Sequence, residues 1–145
     1  MDFRRELVLF ARLAWDRRLT ESTGGNMSVR IGDHFVITPT TMVKHFLTEE
    51  DLVEVDLTGR KVSGRREPSS EYRMHLKIYR ECEDVVSVFH AHPVYATTMA
   101  VQQRKFPVNV LPETALMLAP ITYLPYRMPG TDDFAEIFDE GLKLG

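Results

Sequence analysis

Only one cysteine, Cys82, occurs in 145 residues. It has no partner within the chain, so an intrachain disulfide is excluded and a reducing compartment is the natural setting. Long apolar runs are missing as well. Nothing approaches the ~20 consecutive apolar residues that cross a bilayer. The early positive charge of residues 1–18 is not followed by an uninterrupted apolar stretch, so no secretory leader is expected. Charge of one sign is also scarce: 18 Lys and Arg stand against 21 Asp and Glu, and the cations are scattered. Neither nucleic acid nor an anionic membrane is therefore a favoured partner. No internal repeat and no low-complexity segment divides the chain. The expectation is a soluble, cytoplasmic protein with one domain over residues 1–145, a length that buries about two-thirds of the unfolded surface. Histidine is the last absence: residues 93–145 contain none.

What is present alternates between helical and extended patterns. Phe3, Leu7, Phe10, Ala11 and Ala14 recur at helical spacing and predict a first helix over residues 2–18. Ser22-Thr23-Gly24-Gly25-Asn26 reads as a tight loop. Met27–Arg30 and Phe35–Thr38 read as two short strands around a turn at Gly32-Asp33. Thr48-Glu49-Glu50-Asp51 has the form of a capping box. Val53, Val55 and Leu57 alternate as a strand, which Thr58-Gly59 turns into Lys61-Val62. Pro68-Ser69-Ser70-Glu71 is a helix start. The apolar run from Val85 to His92 predicts a buried strand ended by Pro93, and a helix follows over residues 95–102. Prolines then punctuate short extended pieces, before a last helix over residues 132–144 with Thr131 as its N-cap. Interleaved helices and strands make this a mixed α and β domain.

Three groups of residues carry chemistry. His90 and His92 flank a small alanine at the end of the apolar strand. Residues two apart on a strand share a face, so both imidazoles project together and suit one divalent ion. The alternative is a pair of hydrogen-bonded histidines without metal. Ser69 and Ser70 place hydroxyls at a helix N-terminus, where unpaired N–H groups and the helix dipole favour an anion; a plain serine cap is the competing reading. Glu71 is a candidate general acid or base if it faces the histidines across a pocket. Gly24-Gly25-Asn26 and Thr38-Pro39-Thr40-Thr41 let backbone approach a ligand and offer neutral donors. Together these are a metal pair, an acid and three donor-rich loops without a lysine anchor, a set that suits a phosphorylated substrate. His75, four residues after Glu71 on the same helix face, reads as one half of a structural pair, and His34 as a turn residue.

In order, Ser22-Thr23-Gly24-Gly25-Asn26-Met27-Ser28-Val29-Arg30, Ile37-Thr38-Pro39-Thr40, Pro68-Ser69-Ser70-Glu71 and His90-Ala91-His92-Pro93 resemble the class II aldolase/adducin family. The resemblance runs from about residue 3 to residue 106. It implies a three-layer α/β/α fold around a mainly antiparallel sheet, and a homo-oligomer, usually a tetramer with active sites between subunits. It makes His90 and His92 ligands of one Zn2+ per subunit, though two histidines and a carboxylate also tolerate other divalent metals. Glu71 becomes the catalytic acid/base. Asn26, Thr40, Ser69 and Ser70 match phosphate-binding positions, with Thr23 and Thr41 as further candidates.

The activity implied is that of a metal-dependent aldehyde-lyase. It cleaves a small ketose 1-phosphate of the fuculose-phosphate type to dihydroxyacetone phosphate and an aldehyde through a zinc-stabilised enediolate. The same scaffold also serves sugar-phosphate dehydratases and epimerases, and Glu71 argues against the epimerase. A non-catalytic, adducin-like association domain is the reading from another class, and it would have no need of His90, His92 and Glu71. Two departures stand out. Thr40-Thr41 replaces the family's Thr-Gly, and the third zinc histidine expected downstream is absent. Either the chain is a C-terminally truncated piece of a longer protein, or Glu71, a water or another subunit completes the site.

Overall fold

The computed structural model describes residues 2–117 and 120–143. Helix α1 (Phe3–Asp16) begins where the Asp2 carboxylate accepts from the Arg5 amide. Strands β1 (Asn26–Ile31), β2 (His34–Ile37), β3 (Val53–Asp56) and β4 (Lys61–Ser63) follow, then helix α2 (Tyr72–Glu81), strand β5 (Ser87–His90) and helix α3 (Val94–Val101). Three short helices close the described chain: α4 (Pro112–Met117), α5 (Asp132–Glu136) and α6 (Phe138–Leu142). The strands form one antiparallel sheet in the order β4-β3-β2-β1-β5.

Strand alternation sends successive side chains to opposite faces and so builds two cores. Leu7, Val8, Ala11 and Ala14 of α1 pack on Met27, Val29 and Val36 beneath one face. Leu76 and Tyr79 of α2 pack on Phe35, Ile37, Val53 and Val55 on the other. Helix, sheet and helix make the three layers expected from the resemblance. The capping box at Thr48 and Asp51 forms as read from the sequence, around a single 3-10 turn.

Three elements differ from expectation. β5 is an edge strand, not a buried one. It pairs with β1, no other described strand lies beyond it, and Val86 and Phe89 remain more than half exposed. The apolar character of 85–92 signalled burial of one face only. α3 is similarly uncovered: none of its residues is buried among the described residues, although its sequence is strongly apolar. Within the proline-punctuated region the structure finds α4, because Pro112 occupies the first helical turn, where a missing N–H costs nothing. The last helix divides into α5 and α6 around Ile137, and its expected end at Leu144 lies outside the described residues. Thr131 caps α5 as anticipated, its hydroxyl accepting from the Phe134 amide at 3.2 Å.

Phe35 is fully buried between β2 and α2, its ring 5.3 Å from that of Tyr79. Phe35→Ala should lower unfolding free energy by about 3–5 kcal/mol in urea denaturation; a loss under about 1 kcal/mol would contradict the packing of α2 on this face.

Candidate functional site

Asn26 and Ser28 point to the α2 face of β1, as does the apolar pair Phe35 and Ile37 on β2. On α2 and its N-cap, Glu71, His75 and Tyr79 recur every four residues and form one stripe. Four residues of helix advance about 6 Å and two residues of strand about 6.8 Å, so the two polar rows interdigitate. Tyr79 Oη lies 2.7 Å from Ser28 Oγ, which lies 2.7 Å from His75 Nδ1. The other ring nitrogen of His75 bonds Asn26 Oδ1. Asn26 Nδ2 in turn donates to Glu71 Oε2 at 2.6 Å. Arg30, two residues beyond Ser28, continues the row by donating to the Tyr79 carbonyl at 3.0 Å.

The row opens at the histidines. Asn26 pairs with His90 across β1 and β5, so His90 shares the α2 face. Its Nδ1 lies 2.7 Å from Glu71 Oε2, and its Nε2 lies 3.1 Å from Nε2 of His92. A carboxylate can only accept, so His90 carries its proton on Nδ1 and turns a bare Nε2 lone pair toward His92. This is the arrangement of a metal-ligating imidazole steered by a carboxylate behind it. The donor set therefore fits a divalent ion held by His90 Nε2 and His92 Nε2. Among the described residues, no group of three or more His, Cys, Asp or Glu side chains is arranged to hold a metal.

Electrostatics separate the acids and bases of the cluster. Burial pushes the Glu71 carboxyl up, but hydrogen bonds from His90 and Asn26 outweigh it and hold the group below the usual glutamate value. Glu71 is thus ionised at neutral pH. Burial drives the His75 ring down to about 3 and keeps it neutral. Burial also raises the Tyr79 phenol to about 12, which leaves it a neutral donor.

The loops gather around this cluster. Thr38 Oγ1 accepts from the Met27 amide at 3.1 Å, the Ser69 amide donates to the Thr38 carbonyl at 3.1 Å, and the Thr40 amide to the Glu67 carbonyl at 3.1 Å. Residues 38–40 and 67–69 are therefore sewn to the start of β1. Ser69 is buried, and its Oγ accepts from the Glu71 amide at 3.3 Å. Ser70, Thr23 and Thr41 are exposed, and Thr40 is half-buried. Asn26 is almost wholly buried, its amide engaged by Glu71 and His75. Gly25 is required by crowding, and Gly24 sits in a tight approach to the histidines. A Cβ on Gly24 would meet His92 Nδ1 at 3.1 Å, and one on Gly25 would meet the His90 carbonyl at 2.9 Å with φ at +71°. Thr41, where the resemblance expects glycine, holds φ at +52°, a left-handed conformation that costs a β-branched residue about 1–3 kcal/mol.

Two residues of the neighbourhood escaped the sequence reading. His75 is the link between Ser28 and Asn26; its only signal was the four-residue spacing from Glu71, which a structural pair explains equally. Lys44 is 1% exposed and donates to the Thr23 carbonyl at 3.2 Å and the Met42 carbonyl at 2.9 Å. Desolvation lowers its pKa to about 8. It clamps the 23–25 and 40–43 loops together from behind, so a lysine does stand beside the donor-rich loops. No pattern in the sequence marks it.

Comparison with known proteins places this geometry in context. The family model described as Class II Aldolase and Adducin N-terminal domain matches residues 5–144. The L-fuculose phosphate aldolase of Methanococcus maripaludis is 36% identical over 138 residues, which are 95% of this chain and 75% of that protein. The 5-deoxy-D-ribulose 1-phosphate aldolase of Bacillus thuringiensis serovar kurstaki is 34% identical over 142 residues, covering 96% of this chain and 66% of that one. Among solved structures, an L-fuculose 1-phosphate aldolase superposes with a TM-score of 0.84 at 28% identity, over 98% of this chain and 68% of that one.

The His75 ring gives the cluster a measurable acid response. Below pH 6.5 the unfolded chain takes up a proton that the folded chain refuses until about pH 3. Folding stability should therefore fall as pH drops through that window, by up to about 1.4 kcal/mol per unit from this group alone. His75→Gln should flatten that part of the stability–pH curve in urea titrations. An unchanged slope would show that another group refuses the proton.

Proposed function

The chain belongs to the class II aldolase and adducin N-terminal domain family, and from that premise we propose that it is a metal-dependent aldehyde-lyase. Its substrate is a small ketose 1-phosphate, cleaved to dihydroxyacetone phosphate and an aldehyde. The observation that supports this most is one contact chain: Glu71 Oε2 is 2.7 Å from His90 Nδ1, and His90 Nε2 faces His92 Nε2 at 3.1 Å. An ionised acid and a pair of convergent nitrogen donors stand beside hydroxyl-bearing loops, which is the inventory such a cleavage needs.

In this reading His90 and His92 hold a zinc ion, with Glu71, a water or another subunit available to complete its coordination. The bound ion supplies the positive charge that a developing oxyanion requires. Ser69, Ser70 and Thr40, with Thr23 and Thr41, bind the phosphate, helped by the positive end of α2, whereas the Asn26 amide, expected from the resemblance at a phosphate position, is committed to Glu71 and His75. Glu71 moves the proton. Its Oε2 is saturated by Asn26 and His90, while Oε1 has no partner among the described residues. In the condensation direction the ionised carboxylate takes the proton from the substrate carbon that will form the bond. In cleavage the protonated acid returns it. The whole chain acts as one domain of this kind, in the cytoplasm, and the uncovered apolar α3 beside His92 supports assembly as a homo-oligomer, a tetramer by family precedent. Among the described residues no helix is long and apolar enough to cross a membrane.

Two measurements test the reading. Purified protein should carry about one divalent ion per chain, and the double substitution His90→Ala, His92→Ala should strip it; full metal content in that variant would defeat the ligand assignment. Turnover of L-fuculose 1-phosphate or 5-deoxy-D-ribulose 1-phosphate should release dihydroxyacetone phosphate, and Glu71→Gln should slow it by about 10²–10⁴-fold. Normal turnover in that variant would remove Glu71 from the proton step. Consumption of a sugar phosphate without dihydroxyacetone phosphate would favour the dehydratase.

A further inference from the structure

The Asn26 amide lies against Glu71 and must be held in that orientation to keep donating to it. An asparagine amide can turn over at little cost, exchanging donor for acceptor, unless its neighbours forbid it. Here Asn26 presents Nδ2 to Glu71, donating to Oε2 at 2.6 Å. Oδ1 then faces His75 Nε2, which must carry the proton. His75 Nδ1 is in consequence an acceptor and takes the proton of Ser28 Oγ at 2.7 Å, leaving Ser28 to accept from Tyr79 at 2.7 Å. Every donor in the row runs one way, from Tyr79 to Glu71. Reversing the amide would set Oδ1 against a carboxylate and Nδ2 against an N–H, two repulsive contacts around a side chain that is almost wholly buried.

We infer that His75 is a positioning residue for the acid/base step, whose Nε2–H locks the Asn26 amide and through it the orientation of the Glu71 carboxylate. The inference rests on the role of Glu71 proposed above. His75 is fully buried and has both ring nitrogens engaged, so its place is set by the seam and not by a ligand. Among the described residues no hydrogen bond joins it to His90 or His92, and metal binding should not depend on it. Without the Nε2–H, Asn26 is free to flip. Glu71 then keeps His90 as its one fixed donor and swings about that bond.

Three variants and one spectrum test this in the full-length chain. His75→Leu should lower kcat on a turned-over ketose 1-phosphate by about 10- to 100-fold, with KM and metal content near those of the wild type. His75→Gln, whose amide can again donate to Oδ1, should recover most of that loss. Should His75→Leu fail to fold, Ser28→Ala removes the proton donated to Nδ1 and should give a smaller fall in kcat, again with KM preserved. In the metal-free protein, nitrogen-15 spectra should show His75 as the neutral Nε2–H tautomer. They should also show Asn26 side-chain amide protons protected from exchange, and that protection should vanish in His75→Leu. A His75 ring protonated on Nδ1, or a folded His75→Leu with wild-type kcat, would overturn the inference. So would a His75→Leu defect that lies in KM or metal content. A wild type that turned over no sugar phosphate would sink the aldolase reading instead, and the tautomer and exchange pattern would then decide this inference alone.

Discussion

The site depends on a near match between two repeats: the two-residue step of a strand and the four-residue step of a helix. Because these differ by less than 1 Å, a row of polar side chains on β1 can mesh with a row on α2 across several turns. Glu71, Asn26, His75, Ser28 and Tyr79 alternate along that seam. Every other part of the site takes its position from it. β5 pairs with β1 and so sets His90 against Glu71, and the glycine loop enters β1 close enough to touch His92.

A buried polar row is unfavourable unless it is complete, since each orphaned group would carry a desolvation cost of about 1–3 kcal/mol. Here completeness also produces the chemistry. The donors that repay the burial of Glu71 are those that keep it ionised, and the carboxylate that receives them turns the His90 lone pair outward. Structural satisfaction and catalytic preparation are one set of bonds. Lys44 extends the theme on the loop side, where a buried ammonium held by two carbonyls ties the 23–25 and 40–43 backbones together.

Much of this was legible in the sequence. The ordered motifs identified the family, and the comparisons bear that out. α1, the early strands and the capping box fall within a few residues of their expected bounds. The failures have physical causes. Asn26, Ser28 and Arg30 alternate with apolar residues, and such a pattern ordinarily marks a strand with one solvated face; only the partner helix reveals that the polar face is covered. His75 shows only as the helical partner of Glu71, and Lys44 leaves no trace, because a lone titratable residue gains its full meaning only from neighbours distant in sequence. β5 looked buried because apolar content reports how a strand packs and says nothing about whether a further strand pairs with its edge. α4 and the break near Ile137 are short, local events beneath the reach of periodicity.

The pairing of β1 with β5 has a consequence for how the molecule comes into being. Glu71 and His90 are 19 positions apart, whereas Asn26 and His90 are separated by 64. The acid and its histidine can meet through a short loop, but the long loop must close before Asn26 joins them. Closure of that kind is entropically opposed and is rewarded only once the strands register. An ion arriving early would find His90 and His92 on a strand with no sheet to lie in. The cluster is whole only when that loop is closed, and the pairing that completes the sheet also completes the site.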